Sequence, residues 1–261
     1  MLRISDLDVV CPICSKPDYC LMSDDGLACI CTRISAGSVK QCGSAGYLHI
    51  LEKGKFKGKK FTPKERPDIN WFNLMKMYED KLRKSLEVLE IGLKEETLKQ
   101  FCIGWDGQAF TFPMRDETTR PIGIQIRFKD GKKMTIKGSQ AGLFMPNMLV
   151  IEDILAITEG LSDAATLTEM GVPAIGRFNC NSGGEMIVNY AKWLPKTPHI
   201  VLVGDNDGAG KEGLEALGAL LTARGIGHTK VYPSKFKDVR EAYVTKGLTK
   251  DDFYHIVKAR I

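Results

Sequence analysis

The sequence predicts an α/β protein. A sheet of mainly parallel strands flanked by helices fills its second half, a smaller mixed α/β region precedes it, and a cysteine-rich ribbon opens it. Three observations lead there. From residue 151 onward, short apolar runs alternate with helix-length amphipathic segments. Two of those runs end in acids followed by glycine: Leu155-Ala156-Ile157-Thr158-Glu159-Gly160, and Val201-Leu202-Val203-Gly204-Asp205-Asn206-Asp207-Gly208. Six of the eight cysteines fall between Cys11 and Cys42.

At 261 residues the chain is long enough for two domains. Its 43% hydrophobic and 26% charged content is ordinary for a globular protein. The net charge of +5 permits a polyanionic partner without demonstrating one. No apolar run approaches the roughly eighteen residues of a membrane helix, so no membrane partner is expected. Met1-Leu2-Arg3-Ile4-Ser5-Asp6 lacks the apolar core of a signal peptide, so the expected location is cytoplasmic. In that reducing compartment, eight cysteines point to metal or free thiols rather than disulfides.

Within residues 1–52, Cys11-Pro12-Ile13-Cys14 places two thiolates on one tight turn, the spacing of a zinc knuckle. Residues 19–23 and 27–31 read as strands around an Asp25-Gly26 hairpin turn. That turn sets Cys20 opposite Cys31, so Cys11, Cys14, Cys20 and Cys31 are the expected tetrahedral Zn²⁺ ligands, at Zn–S distances of about 2.3 Å. Cys29, Cys42 and His49 remain alternatives, although Cys29 with Cys31 on one strand would span a metal poorly. So short a segment has too little core to fold alone, and a structural metal would supply the missing stability. Arg33, Lys40 and Tyr47 lie nearby, either to meet a single strand by charge and stacking or as solvated surface.

Residues 53–70 read as a linker. Between positions 53 and 66 seven basic residues face one acid, with Gly54, Gly58 and Pro63 breaking regular structure. Phe56 and Phe61 interleave with the lysines, a composition that suits either single-strand contact or a merely soluble linker. Residues 71–93 carry Leu74, Met77, Tyr78, Leu82, Leu86 and Leu89 at helical spacing, and 93–101 read as a second short helix. Strands follow at 109–116 and 121–129. In the second, Ile122, Ile124, Ile126 and Phe128 share one face while Gln125, Arg127 and Lys129 share the other. After the Asp130-Gly131 turn come Lys132, Lys133 and Lys137, so the sheet is expected to have one cationic face.

Beyond residue 150 the expected order is a strand ending at Glu159, a helix over 162–170 with Gly171 after it, and a strand over 172–175. A helix over 185–193, a strand running to Asp207, a helix over 210–224, a strand over 230–232 and two terminal helices complete it. Carboxylates at the carboxyl ends of such strands project into the crevice where open α/β sheets keep their ligands. Burying unpaired anions is costly. Hard oxygen donors two residues apart suit Mg²⁺ or Mn²⁺, although an Asp-Gly turn alone would also account for them. Gly208-Ala209-Gly210-Lys211 is not a phosphate-binding P-loop: Asp205 stands where its first glycine belongs, and Glu212 where Ser or Thr must hold Mg²⁺.

Glu159-Gly160 at one strand end, with Asp205-x-Asp207-x-x-Gly210 at a later one, resembles the Toprim domain of bacterial-type primases, topoisomerases and related nucleases. The likeness to bacterial and phage DNA primases extends upstream through residues 110–144 to the ribbon. Lys237-Asp238-Val239-Arg240-Glu241 is similar to a third acidic motif of that family. The resemblance implies a Toprim-type, Rossmann-like sheet over 151–261, a primase-core subdomain over 71–150, and a zinc ribbon over 1–52 that helps choose the template sequence. It implies that Glu159, Asp205 and Asp207 hold two Mg²⁺ ions. Arg127, Lys129 and Lys137 are then expected to hold the single-stranded DNA template, the primer and incoming ribonucleoside triphosphates. Asp238 is a candidate to join the metal cluster or to cap a helix; Asp163 is a candidate supporting acid or a first-turn charge. The expected activity is that of a DNA primase making short RNA primers by two-metal nucleotidyl transfer, with any replicative helicase a separate protein. Two other readings stand beside it: a Toprim nuclease, and a non-catalytic zinc-ribbon protein that binds single-stranded DNA.

Overall fold

The computed structural model describes residues 1–7, 9–52, 67–85, 91–151, 153–233 and 235–260. The basic run from Lys53 to Arg66, with Phe56 and Phe61, lies outside the described residues, as do Leu86 and Leu89. The chain divides into two compact units, Met1–Pro67 and Asp68–Ile261.

The first unit is an antiparallel sheet of five short strands: β1 (Leu2–Arg3), β2 (Leu21–Met22), β3 (Ala28–Cys31), β4 (Lys40–Gln41) and β5 (Tyr47–Ile50), in the order β1-β2-β3-β5-β4. Its interior holds Ile4, Leu7 and Met22 beside Cys11, Cys20, Cys29 and Cys31, so thiols make up much of a very small core. Leu21 pairs with Ile30 and Met22 with Cys29, and one step further Cys20 faces Cys31. The connecting turn is wider than the expected two-residue hairpin. The Ser23 N–H donates to the Ala28 carbonyl at 2.8 Å and closes a four-residue loop. Inside it Asp25 Oδ1 accepts from the Leu27 N–H and the Ser23 hydroxyl, and the Ser23 Oγ in turn accepts the Ala28 N–H.

The second unit is built on one nine-stranded sheet. Helix α1 (Trp71–Arg83) leads into it, capped by Asn70, whose side chain accepts from the Asn73 N–H at 3.0 Å. Its buried face is Met75, Glu79 and Leu82, spaced four and three residues apart; Met77, expected on the apolar stripe, points outward and is 45% exposed. Buried Glu79 is held by Lys76 and Arg83 at 2.9 and 2.6 Å. Then come α2 (Glu95–Gln100), β6 (Gly104–Trp105), β7 (Phe110–Arg115), β8 (Pro121–Arg127), β9 (Lys133–Thr135) and β10 (Leu143–Phe144). Strands β7, β8 and β9 form an antiparallel meander, and β10 pairs antiparallel with β7 on one side.

The remaining elements alternate, as the apolar runs predict: β11 (Ile154–Thr158), α3 (Leu161–Glu169), β12 (Ala174–Arg177), α4 (Gly184–Trp193), β13 (His199–Val203), α5 (Gly208–Ala223), β14 (His228–Val231), α6 (Val239–Lys246) and α7 (Lys250–Lys258). Strands β14, β13, β11 and β12 run parallel in that order, and β10 joins β12 antiparallel, so one sheet passes through the whole unit. Every residue of β11 is buried, as covering both faces requires. Ile154, Ala156 and Val201 face α3, α6 and α7, while Leu155, Ile157, Ile200 and Leu202 face α4 and α5. Each Val, Leu or Ile among them withdrawn from water stabilises the sheet by roughly 1.5–3 kcal/mol. Among the described residues no helix is long and apolar enough to cross a membrane.

Candidate metal centres and a charged crevice

In the first unit the Sγ atoms of Cys11, Cys14, Cys20 and Cys31 all lie within 4.8 Å of one another. A tetrahedron of sulfurs about 2.3 Å from Zn²⁺ has edges of about 3.8 Å, and Cys14 and Cys20 are already 3.7 Å apart. Two ligands come from the knuckle turn and two from facing positions at the β2–β3 ladder. Burial pushes the Cys11 and Cys31 thiols up. At Cys14 burial also raises the pKa, but hydrogen bonds from the Lys16 backbone, Cys11 and Arg33 outweigh it and bring the thiol down to about 7. A bound cation would offset the burial of these thiolates, so the donor set fits Zn²⁺ by chemistry and by spacing.

The other candidates fall around this cluster. Cys29 is buried with its Sγ 3.6 Å from that of Cys11, and burial raises its pKa to about 11. His49 is turned away: its Nε2 donates to the Ile34 carbonyl at 2.9 Å. Cys42 is half-buried outside the cluster. Arg33, open from sequence to either single-strand contact or solvated surface, is engaged locally. Its guanidinium donates to the Cys14 and Cys20 sulfurs at 3.6 and 3.8 Å and forms an ion pair with Asp18. Lys40 is exposed on β4 and Tyr47 half-buried on β5.

In the second unit the acids gather at the carboxyl edge of the parallel strands. Glu159 follows β11, and its Oε1 accepts the backbone N–H of Asp205, just past β13, at 3.1 Å. The fit is close on both sides. A Cβ on Gly210 would sit 2.5 Å from Glu159 Oε1, and one on Gly176 would sit 2.6 Å from the Gly160 carbonyl. Asp207 caps α5, its Oδ1 accepting from the Gly210 N–H at 2.8 Å, and Asp238 caps α6 by accepting from the Glu241 N–H at 2.8 Å. Asp163, in the first turn of α3, is 7% exposed and accepts the Arg240 N–H at 3.1 Å, tying α3 to α6.

These carboxylates share one field. Burial, then the charges of Asp205 and Asp207, push the Glu159 carboxyl up, against the Asp205 hydrogen bond and the charge of Arg177. Burial with Asp238 and Asp207 raises Asp205. Burial with Asp238 and Asp205 pushes Asp163 up to about 7. An edge of half-buried anions that resist ionisation fits a hard divalent cation by donor chemistry. Among the described residues the cysteine cluster is the one group of three or more ligating side chains drawn within 4.8 Å. The acids form a looser set, of the kind Mg²⁺ takes when one or two carboxylates bind it and water or phosphate fills its other positions.

Glu159 and Asp238 also line a crevice of about 400 Å³ together with Arg127, Lys129 and Lys133. Phe110, Phe112 and Phe144 supply an apolar floor. Arg127 stands directly opposite Lys133 across the β8–β9 ladder. Facing like charges are unfavourable by roughly 0.2–1 kcal/mol unless an anion joins them. Desolvation and the charge of Arg127 lower the Lys133 pKa, against the pull of Asp205 and Asp163. The Lys129 ammonium sits 5.6 Å from the Trp105 ring centre. Lys137 lies beyond the end of β9, exposed and outside this lining. Lys133 and Arg240, which line it, were not singled out from sequence, nor was buried Arg177 at the end of β12.

A small antiparallel sheet with a four-thiolate cluster, followed by a mixed α/β unit with acids at its parallel edge, defines the class of fold. No protein-family model and no curated protein matches the chain. Solved structures do. The zinc-binding and RNA polymerase domains of the Aquifex aeolicus primase align at a TM-score of 0.58 and 17% identity, over 73% of this chain and 60% of that one. A DnaG primase catalytic domain bound to single-stranded DNA aligns at 0.57 and 15%, over 73% and 80% of the two chains. The primase fragment of the bacteriophage T7 primase-helicase protein aligns at 0.51 and 17%, over 96% and 99%. The chain therefore has the fold of bacterial and phage primase zinc-binding and core domains, and spans about three fifths of the solved Aquifex chain.

Proposed function

We propose that the chain is a DNA primase, a nucleotidyltransferase that lays short RNA primers on single-stranded DNA. The observation that carries this is one crevice lined by both kinds of charge. Glu159, fixed by the Asp205 N–H, lines it together with Arg127 and Lys133. Carboxylates that collect divalent cations beside a basic wall that collects phosphates are what in-line nucleotidyl transfer requires.

In this reading Glu159, Asp205 and Asp207 hold Mg²⁺ or Mn²⁺, which when bound would favour ionisation of the attacking 3′-hydroxyl and neutralise the departing pyrophosphate. Asp207 keeps its second oxygen for that task while the first caps α5. Arg127, Lys129 and Lys133 orient the triphosphate and the strand backbone, contacts that carry no base information. Lys137 remains a candidate for strand beyond the crevice. The cysteine cluster holds Zn²⁺ and shapes the ribbon that reads the template. The Toprim likeness of the acidic motifs agrees with this assignment. So do the DnaG neighbour's single-stranded DNA and the T7 neighbour's place in a primase-helicase protein, which also makes a replicative helicase the expected partner.

Labelled ribonucleotides supplied with single-stranded DNA and Mg²⁺ test the reading. Primer-length RNA that disappears with chelator supports it. Shortened DNA with no incorporation assigns the same acids to a nuclease. Binding without turnover assigns the chain to an accessory role.

A further inference from the structure

Among the described residues, three buried side-chain nitrogens have no hydrogen-bond partner: Arg115 Nε, and Nε and Nη2 of Arg177. Arg115 is otherwise well held, donating to the Thr119 carbonyl and to Asn147 Oδ1. Arg177 is not. It is 2% exposed, and its bond is a single one, from Nη1 to the Cys180 carbonyl at 2.7 Å. A guanidinium keeps its proton under all ordinary conditions, so burial does not neutralise it. Charges are buried this incompletely where a nearby charge gives them a task.

The sheet register names that charge. Thr158 pairs with Gly176 in the parallel β11–β12 ladder, so the next step sets Glu159 beside Arg177. Both fall on the face of Ile157 and Ile175, beneath α4 and α5. Helix α5 closes over the two together. A Cβ on Gly210 would strike Glu159 Oε1, and one on Gly213 would come within 2.7 Å of the Cys180 carbonyl that Arg177 engages. Glu159 Oε1 is taken by the Asp205 N–H, and no hydrogen bond to Oε2 is present among the described residues. The nearby acids Asp205 and Asp207 repel the Glu159 charge, and Arg177 attracts it.

We propose that Arg177 is a positioning residue for Glu159: the buried counter-charge that holds this carboxylate at the strand edge, against its acidic neighbours, in the orientation a divalent cation needs. The inference rests on Glu159 being a metal ligand.

The test compares R177M, R177K and E159Q with the parent in the full chain, reading thermal midpoint, zinc content and Mn²⁺ affinity by electron paramagnetic resonance. Removing one partner of a buried charge pair leaves the other uncompensated and lowers stability. R177M is therefore expected to melt somewhat below the parent temperature but still cooperatively and with unchanged zinc, and to bind Mn²⁺ about tenfold more weakly, as loss of a supporting partner does at metal sites. R177K should recover most of that affinity. Parental Mn²⁺ affinity in R177M, alongside weakened binding in E159Q, would overturn the role of Arg177 and leave Glu159 a ligand. Parental affinity in E159Q would remove Glu159 itself. A fall in both melting temperature and affinity in R177M that R177K does not reverse would assign Arg177 to structure alone.

Discussion

The backbone N–H of Asp205 donates to Oε1 of Glu159 at 3.1 Å, so the acids that follow two adjacent parallel strands are fixed to each other before any cation arrives. Gly210 makes this possible. It lies in the first turn of α5 directly against the same oxygen, where a Cβ would sit 2.5 Å away.

Gly210→Ala therefore separates helix propensity from site geometry. In a helix Ala is favoured over Gly by about 1 kcal/mol, so the variant should fold. It should nevertheless lose roughly tenfold or more of its Mn²⁺ affinity and primer yield, because Glu159 and the Asp205 carbonyl, 2.7 Å from the added Cβ, must shift. Calorimetric Mn²⁺ titration beside a melting curve checks this, and unchanged affinity would show that the contact relaxes freely.

The pH dependence of stability in chelator follows from Asp163, whose carboxyl is held at about 7 against an ordinary 3.8. Between those values the folded chain binds more protons than the unfolded chain, so stability falls as pH rises through this window and stays lower above it. Asp163→Asn keeps an acceptor for the Arg240 N–H and removes the charge. It should raise the melting temperature at about pH 8 by several degrees, a gain of order 2–4 kcal/mol, and flatten the slope between about pH 4 and 7. A melting curve with an unaltered slope would place the titration elsewhere.

Zinc content discriminates among the cysteines. Cys20→Ser should lose the metal and with it the cooperative folding of the first unit, whereas Cys29→Ser should keep about one zinc per chain. Elemental analysis of the two purified variants decides it. Zinc retained by Cys20→Ser and lost by Cys29→Ser would move the site onto the alternative ligand set.

The basic wall predicts a graded response. Arg127→Ala or Lys133→Ala should weaken binding of a triphosphate or single strand and reduce the salt dependence by about one counterion each. Lys137→Ala should leave nucleotide binding unchanged. Titrations at several salt concentrations measure both.

How much of this was legible in the sequence depends on which distances each feature needs. The cysteine set was legible because a hairpin of known register decides which positions face each other, and Cys20 and Cys31 obey it although the turn itself is wider. The strand-end positions of Glu159 and Asp205 were legible because apolar runs of strand length stop just before them. Which of Lys132, Lys133 and Lys137 stands opposite Arg127 is not legible, because only the β8–β9 pairing sets Lys133 there and ends the strand at Thr135. Arg177 was invisible: an arginine after an apolar run looks like a solvated strand end until α5 is seen to cover it. Met77 misled because helical spacing alone does not say which of two overlapping stripes turns inward. Asp163 needed the docking of α6, a contact between residues far apart in the chain.

The central claim is tested most directly by incorporation of labelled ribonucleotides on single-stranded DNA by the parent chain and by Asp205→Ala, with zinc measured on the same samples. The account predicts Mg²⁺-dependent short RNA from the parent and, from the variant, a yield lower by about a hundredfold or more at unchanged zinc content. Full primer yield from Asp205→Ala would contradict it.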